Sequence, residues 1–178
     1  MAQTAIIVRV PEAEPYVAHL REQFDPSAKL GVPAHITLLY PFMSPERITE
    51  AVIDQVRAVA STASPFAFRL TNVRRFPGAL YLAPDPAAPF IALTKGLVHQ
   101  FPEFPPYSGQ YDAIVPHLTV VKGGESEQSV AEAELLGAVS SGPGVASYCS
   151  ELVLIENSSG SWQQMHVIAL SHVSHEVD

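Results

Sequence analysis

His35-Ile36-Thr37-Leu38 and His117-Leu118-Thr119-Val120 are two copies of one short pattern, 82 residues apart. Each lies in a run of apolar and β-branched residues, the composition of a buried strand. Residues i and i+2 of a strand share a face, about 6–7 Å apart along the chain. His35 is therefore expected beside Thr37, and His117 beside Thr119. Ile36, Leu38, Leu118 and Val120 face the other way, toward a core. Each copy offers a titratable imidazole and a hydroxyl on one face of a stiff strand. Two such halves facing each other make a complete site.

Working outward from the two copies, the same element order is found twice. Ala5 to Val10 reads as a strand and Pro15 to Phe24 as a helix, with Tyr16, Val17, Leu20 and Phe24 apolar. The first histidine strand follows and stops at Pro41. Ser44-Pro45-Glu46 carries the signals of a helix start: a hydroxyl cap, a proline in the first turn and an acid near the positive end of the dipole. Phe66 to Val73 and Ala79 to Ala83 read as strands around Pro77-Gly78. Pro89 to Phe101 reads as a helix, and Pro102 to Val115 as a loop. The second histidine strand runs to about Lys122 and is followed by a helix over Glu127 to Val139. Ser140 to Ser147 reads as a small-residue loop. Glu151 to Glu156 and Trp162 to Leu170 read as a hairpin.

Counted from each histidine, the next helix opens 10 residues on, at Pro45 and Glu127. The following strand begins 31 and 34 residues on, at Phe66 and Glu151, and its hairpin partner 44 and 45 residues on, at Ala79 and Trp162. This spacing puts Tyr81 and Trp162 at equivalent places. The repeat is one of architecture, since the halves share little identity outside the two motifs. It predicts an α+β fold: one domain over residues 1–178, made of two lobes related by a pseudo-twofold axis. Such an axis brings the two histidines into one cleft.

Composition narrows the function. The chain has 178 residues, 47% of them hydrophobic, enough for a proper core. Its apolar runs fall far short of the ~20 residues of a membrane span, and Met-Ala-Gln-Thr opens no signal peptide. A cytoplasmic protein with no membrane partner is the expectation. One cysteine, Cys149, leaves no internal disulfide framework and no thiolate cluster for a structural metal. The formal charge of −8 does not suit a grip on long duplex nucleic acid, which calls for a basic face. A small phosphorylated substrate held by one or two local cations remains compatible.

Two histidines across a cleft suit general acid–base work. With ordinary pKa values of about 6.5, one can be basic while the other is protonated. Attack on a phosphodiester needs a proton taken from the nucleophile and one given to the leaving oxygen. The two threonine hydroxyls can hold the non-bridging phosphate oxygens. The chemistry asks for no metal and no cofactor. Lys122, five residues after His117, can add a positive charge; Tyr40, at the same distance after His35, can stack on a base or sugar. Tyr81 and Trp162 are lesser candidates for stacking. His19, His99 and His166 read as surface or structural residues. His172 and His175 form a pair with no third metal ligand nearby.

The paired motifs, with their flanks Pro33-Ala34-His35-Ile36-Thr37-Leu38-Leu39-Tyr40-Pro41-Phe42 and Pro116-His117-Leu118-Thr119-Val120, resemble those of the 2H phosphoesterase superfamily. The loop Pro106-Tyr107-Ser108-Gly109 adds to the likeness. Within the superfamily the chain resembles bacterial 2′-5′ RNA ligase family proteins and their cyclic phosphodiesterase relatives. The resemblance implies two antiparallel sheets lining a central cleft, with helices on the outside. It also implies metal-independent hydrolysis of 2′,3′-cyclic or related phosphodiesters, with His35, Thr37, His117 and Thr119 as the catalytic tetrad. Tyr40 and Lys122 match places where relatives often carry substrate contacts. The expected partner is a small phosphorylated nucleotide or an RNA 3′-end, and the expected form a monomer. The same site using a ribose hydroxyl as nucleophile would give 2′-5′ ligation. A nucleotide- or RNA-binding module without catalysis is the alternative from another class.

Overall fold

Strands β1 (Thr4–Arg9) and β2 (His35–Leu39) pair antiparallel at one end of the fold, and helix α1 (Glu14–Phe24) connects them. The structure, a computed structural model, describes residues 1–171, so the His172–His175 pair lies outside the described residues. After β2 come helix α3 (Glu50–Ala60), the hairpin β3 (Phe66–Phe76) and β4 (Ala79–Asp85), and helix α4 (Ala88–Gln100). A four-residue helix, α2 (Pro26–Lys29), sits between α1 and β2. The chain closes with β5 (Leu118–Lys122), α5 (Glu125–Leu135), β6 (Val145–Cys149), β7 (Glu151–Glu156) and β8 (Gln163–Ala169).

Two four-stranded antiparallel sheets result, ordered β2-β1-β7-β8 and β5-β4-β3-β6. The fold is α+β, with the sheets lining a cleft and the helices outside. Each histidine strand is an edge of its sheet, and the two sheets match strand for strand. β1 corresponds to β4, and β7 to β3. The match extends to an irregularity: β1 pairs Ile7 with Thr37 but Ile6 with Leu39, and β4 pairs Tyr81 with Thr119 but Leu80 with Val121. Each histidine strand therefore carries one extra residue directly after its threonine, Leu38 or Val120. A bulge of this kind re-aims the strand at the place where the site is built.

The halves interlock. β3 follows the first histidine strand yet joins the second sheet, and β7 joins the first. Helix α1 packs against β5, while α4, its counterpart, packs against β2. One apolar core runs through both sheets, holding Ile36, Leu38, Leu118 and Val120 as expected, along with Ile6, Leu82, Phe90 and Leu154. Each such fully buried side chain contributes roughly 1.5–3 kcal/mol. Cys149 is part of this core, and burial pushes its thiol up to about 12, so it is inert packing.

Three expectations need correcting. Ser44-Pro45-Glu46 starts only a 3₁₀ turn, Pro45–Arg47, because Ile48 is extended (φ −76°, ψ 93°). The long helix begins at Glu50, where Thr49 accepts a hydrogen bond from the Val52 N–H. β6 begins inside the stretch read as a small-residue loop, Ser140 to Ser147, and its register against β3 runs from Val145 opposite Leu70 to Cys149 opposite Phe66. Gly144 makes that approach possible: at φ +74° it lies so close to β3 that a β-carbon would sit 2.5 Å from the Leu70 carbonyl oxygen. Finally, Tyr81 and Trp162 are not equivalent. β4 lies beside a histidine strand, whereas β8 is the far edge of its sheet, and the true counterpart of Tyr81 is Ile7.

A buried ion pair braces the segment leading into β2. Arg21 and Asp25 are 2% and 1% exposed, and both guanidinium contacts to the Asp25 carboxylate are 3.2 Å. Arg21 also donates to the Val32 carbonyl at 3.0 Å, and Asp25 accepts from the Ser27 N–H at 3.0 Å. Removing one member strands the other charge in the core, which costs about 3–5 kcal/mol. Arg21→Ala and Asp25→Ala are each expected to lower stability by that amount in urea titrations. A change no larger than that of an exposed surface ion pair would show that the brace is dispensable.

Candidate active site

The register of the sheets decides which side chains meet in the cleft. Paired residues of neighbouring strands share a face, so Ile7 lies beside Thr37 and Arg9 beside His35. Tyr81 lies beside Thr119, and Arg74 beside Tyr81. Both histidine strands show the same alternation, with His and Thr partly accessible and the residues between and after them buried.

The two imidazoles are held alike. His35 Nδ1 lies 2.8 Å from the carbonyl oxygen of Pro33, and His117 Nδ1 lies 2.6 Å from that of Val115. A carbonyl only accepts, so each Nδ1 carries the hydrogen and each Nε2 is left free to take or give a proton. In both cases the acceptor is two residues upstream, before the residue that leads into the motif. The duplication thus repeats the tautomer as well as the backbone.

Their surroundings differ. His117 stands among aromatic rings: Phe76 at 5.1 Å, Tyr81 at 5.5 Å and Tyr107 at 6.2 Å between centroids. Tyr81 is itself stacked on Phe76 at 4.3 Å and is buried. The face around His35 is aliphatic. Ala5, Ile7, Val32, Val153 and Ile155 form a small separate cluster, with Tyr40 and Trp162 packed against it. This leaves a hollow of ≈ 200 Å³ between Ile7, Arg9, Val153 and Trp162. A larger hollow, ≈ 370 Å³, lies on the flank around Glu12, Glu14 and Glu151. Arg9 lines both hollows, and none of the histidines and threonines of the two motifs lines either.

Burial holds both histidines below their ordinary range. His35 is lowered to about 4, chiefly by desolvation; the Pro33 carbonyl pulls the other way, and the nearby Arg21 lowers it further. β2 and β5 lie against each other, which brings the two histidine strands together. His117 is lowered for the same main reason, opposed by the Val115 carbonyl and assisted by Lys122. Lys122 is exposed at the end of β5, beside the site.

The two histidine strands therefore adjoin, with His35 and Thr37 on one face of β2, His117 and Thr119 on one face of β5, and Lys122 exposed at the end of β5. The Tyr40 ring belongs to the cleft-facing cluster, edge-on to Trp162 at 6.0 Å, and its hydroxyl donates to Gln3 at 2.9 Å. His19 pairs with Glu134 on the surface, His99 is exposed, and His166 is partly buried in β8. Three residues at the site went unassigned in the sequence. Arg9 and Arg74 are placed there only by strand register. Tyr107, noted only as part of a motif loop, lies between the halves: its ring centroid is 6.2 Å from that of His117, and its N–H donates to the Tyr40 carbonyl at 2.6 Å.

This two-sheet fold is shared with solved structures that cover nearly the whole chain. E. coli LigT in complex with 3′-AMP superposes with a TM-score of 0.60 at 18% identity, covering 96% of this chain and 98% of that one. The LigT complex with NADP+ gives 0.61 at 17% identity, with the same coverage. A Thermus thermophilus protein, TT0787, gives 0.60 at 18%, covering 94% and 97%. The sequence profile of the 2′-5′ RNA ligase superfamily matches residues 9–161, and the chain belongs to that superfamily, the 2H phosphoesterases. A Bacillus cytotoxicus protein named "Putative phosphoesterase" is 32% identical over 110 residues, 58% of this chain and 59% of that protein. A Bacillus cereus protein of the same name is 32% identical over 111 residues, with the same coverage. The chain thus matches under two thirds of the length of these curated relatives. Among the described residues, no helix is long and apolar enough to cross a membrane.

The depressed imidazoles have a measurable sign. Below pH 6.5 the unfolded chain takes up protons that folded His35 and His117 still refuse, so folding stability falls as the pH is lowered from 6.5 toward 4. NMR titration of the ring protons is expected to place both histidines below 6.5, with His35 near 4. A midpoint at or above 6.5 for His35 would contradict the desolvated environment described.

Proposed function

We propose that this protein is a metal-independent phosphodiesterase that opens 2′,3′-cyclic or related phosphodiesters of nucleotides or RNA ends. The observation that carries the reading is the matched pair of Nδ1-to-carbonyl hydrogen bonds. It leaves two free Nε2 atoms in one cleft, each with a threonine hydroxyl on the same strand face.

One imidazole takes a proton from water as its oxygen attacks phosphorus. The other gives a proton to the ribose oxygen as the P–O bond breaks. The product is a monoester on the remaining ribose hydroxyl. Thr37 and Thr119 hold the non-bridging oxygens, and Lys122 and Arg74 contribute positive charge from the second sheet. Arg74 has no ion-pair partner among the described residues, whereas Arg9 is bound to Glu151 at 2.8 Å and Gln164 at 3.0 Å. The aliphatic hollow beside His35, walled by Trp162 and neighboured by Tyr40, suits the flat apolar face of a nucleobase. LigT, which shares the fold, has been crystallised with 3′-AMP, NADP+ and ATP, and this supports a nucleotide as the ligand class. Superfamily membership favours one further reading, 2′-5′ ligation, in which a ribose hydroxyl replaces water at the same site.

Hydrolysis of 2′,3′-cyclic nucleotides is expected to survive EDTA. His35→Ala and His117→Ala should each lower kcat by about 10²–10⁴-fold, the usual worth of a general acid or base. The kcat/KM profile should be bell-shaped with its maximum below pH 6.5, because both free-enzyme histidines titrate low. A bound phosphate anion favours the protonated rings, so the kcat profile should lie at higher pH. Tight binding of cyclic nucleotides without turnover of any phosphodiester would make the protein a binding module instead.

A further inference from the structure

Tyr107 sits on the most contorted stretch of backbone in the cleft. Tyr107 and Ser108 are both left-handed (φ 51°, ψ 36° and φ 55°, ψ 29°), and Gly109 follows at φ 76°. Two adjacent non-glycine residues in this region are costly, and they persist only where the surroundings fix them. Here the fixing is visible. The Tyr107 N–H donates to the Tyr40 carbonyl at 2.6 Å, tying a loop of the second half to the chain just after the first motif. The Ser108 N–H donates to Pro105 at 3.1 Å, and the Gln110 N–H to the Tyr107 carbonyl at 3.2 Å. Tyr111 supports the ring edge-on at 5.8 Å.

What the strain achieves is a position. The Tyr107 ring centroid is 6.2 Å from that of His117, with 27° between planes, and its loop packs against β2, which puts the phenol near the Thr37 side of the other motif. One side chain thus spans the gap between an imidazole of one half and a hydroxyl of the other. A phosphate held by both motifs must occupy that gap. Resting on the phosphodiesterase reading, we propose that Tyr107 is a fifth substrate-contacting group: its phenol and the Thr37 hydroxyl together donate to one non-bridging phosphate oxygen. Burial raises the phenol to about 12, so it remains a neutral donor at working pH.

Tyr107→Phe keeps the ring and removes the donor. It should lower kcat on the order of 100-fold, the scale of losing one preorganised donor to a developing oxyanion. The melting temperature should stay close to wild type, as should the pH dependence set by His117. Binding of inorganic phosphate, followed by its shifts of the histidine ring signals, should weaken about tenfold or more, and this arm needs no turnover. Thr37→Val combined with Tyr107→Phe should be scarcely worse than the more damaging single change, since both act on one oxygen. Wild-type kcat and wild-type phosphate affinity in Tyr107→Phe would overturn the proposal, and so would fully multiplicative losses in the double variant. If the wild-type protein hydrolyses no cyclic phosphodiester, the phosphodiesterase reading fails, and the phosphate arm still decides whether Tyr107 contacts the anion.

Discussion

The site depends on a backbone carbonyl two residues before each histidine. An imidazole on a strand could present either nitrogen to the cleft, and only one tautomer leaves Nε2 unprotonated. The carbonyls of Pro33 and Val115 remove that choice by accepting from Nδ1. Neither contact involves a side chain that could be lost or could titrate. The rest of the architecture serves to keep those two strand entrances in register with each other. On the first side the segment is braced from beneath by the buried Arg21–Asp25 pair, which grips the Val32 carbonyl next to Pro33.

Two near-equal halves would make a symmetric site. Substitutions at matching places break the symmetry. Ile7 in one sheet answers to Tyr81 in the other, Val153 to Arg74, and Ile155 to Phe76. One side is therefore open and aliphatic, while the other is filled with rings and carries the Arg74 charge. The strand framework is common to the two halves. The substituted faces give each half its own chemistry.

Much of this was legible in the chain. The apolar alternation around His35 and His117 correctly assigned the outward and inward sets, since burial of one face enforces a period of two. The element order yielded the α+β duplication. What escaped was whatever depends on partners distant in sequence. Val145-Ala146-Ser147-Tyr148-Cys149 has weak strand propensity and is a strand because β3 offers it an edge. Ser44 has every local mark of a cap, yet Ile48 breaks the helix and Thr49 takes the role. Counting residues matched Tyr81 with Trp162, but sheet order does not follow chain order. Phe76, Arg9 and Arg74 owe their places at the cleft to register alone. Tyr107 owes its place to a left-handed turn that its residue type disfavours.

The exchange of strands between the halves bears on how the molecule is made. β1 hydrogen-bonds to β2, some thirty residues downstream, but its other neighbour is β7, at residues 151–156. Until that stretch leaves the ribosome, the first sheet lacks two of its members, and Ile6, Ile7 and Val8 expose an unpaired border. Long-range pairing of this kind slows folding and leaves nascent chains prone to stick to one another. The interlocking of the two sheets thus makes β1, synthesised before the other seven strands described, one of the last to be completed.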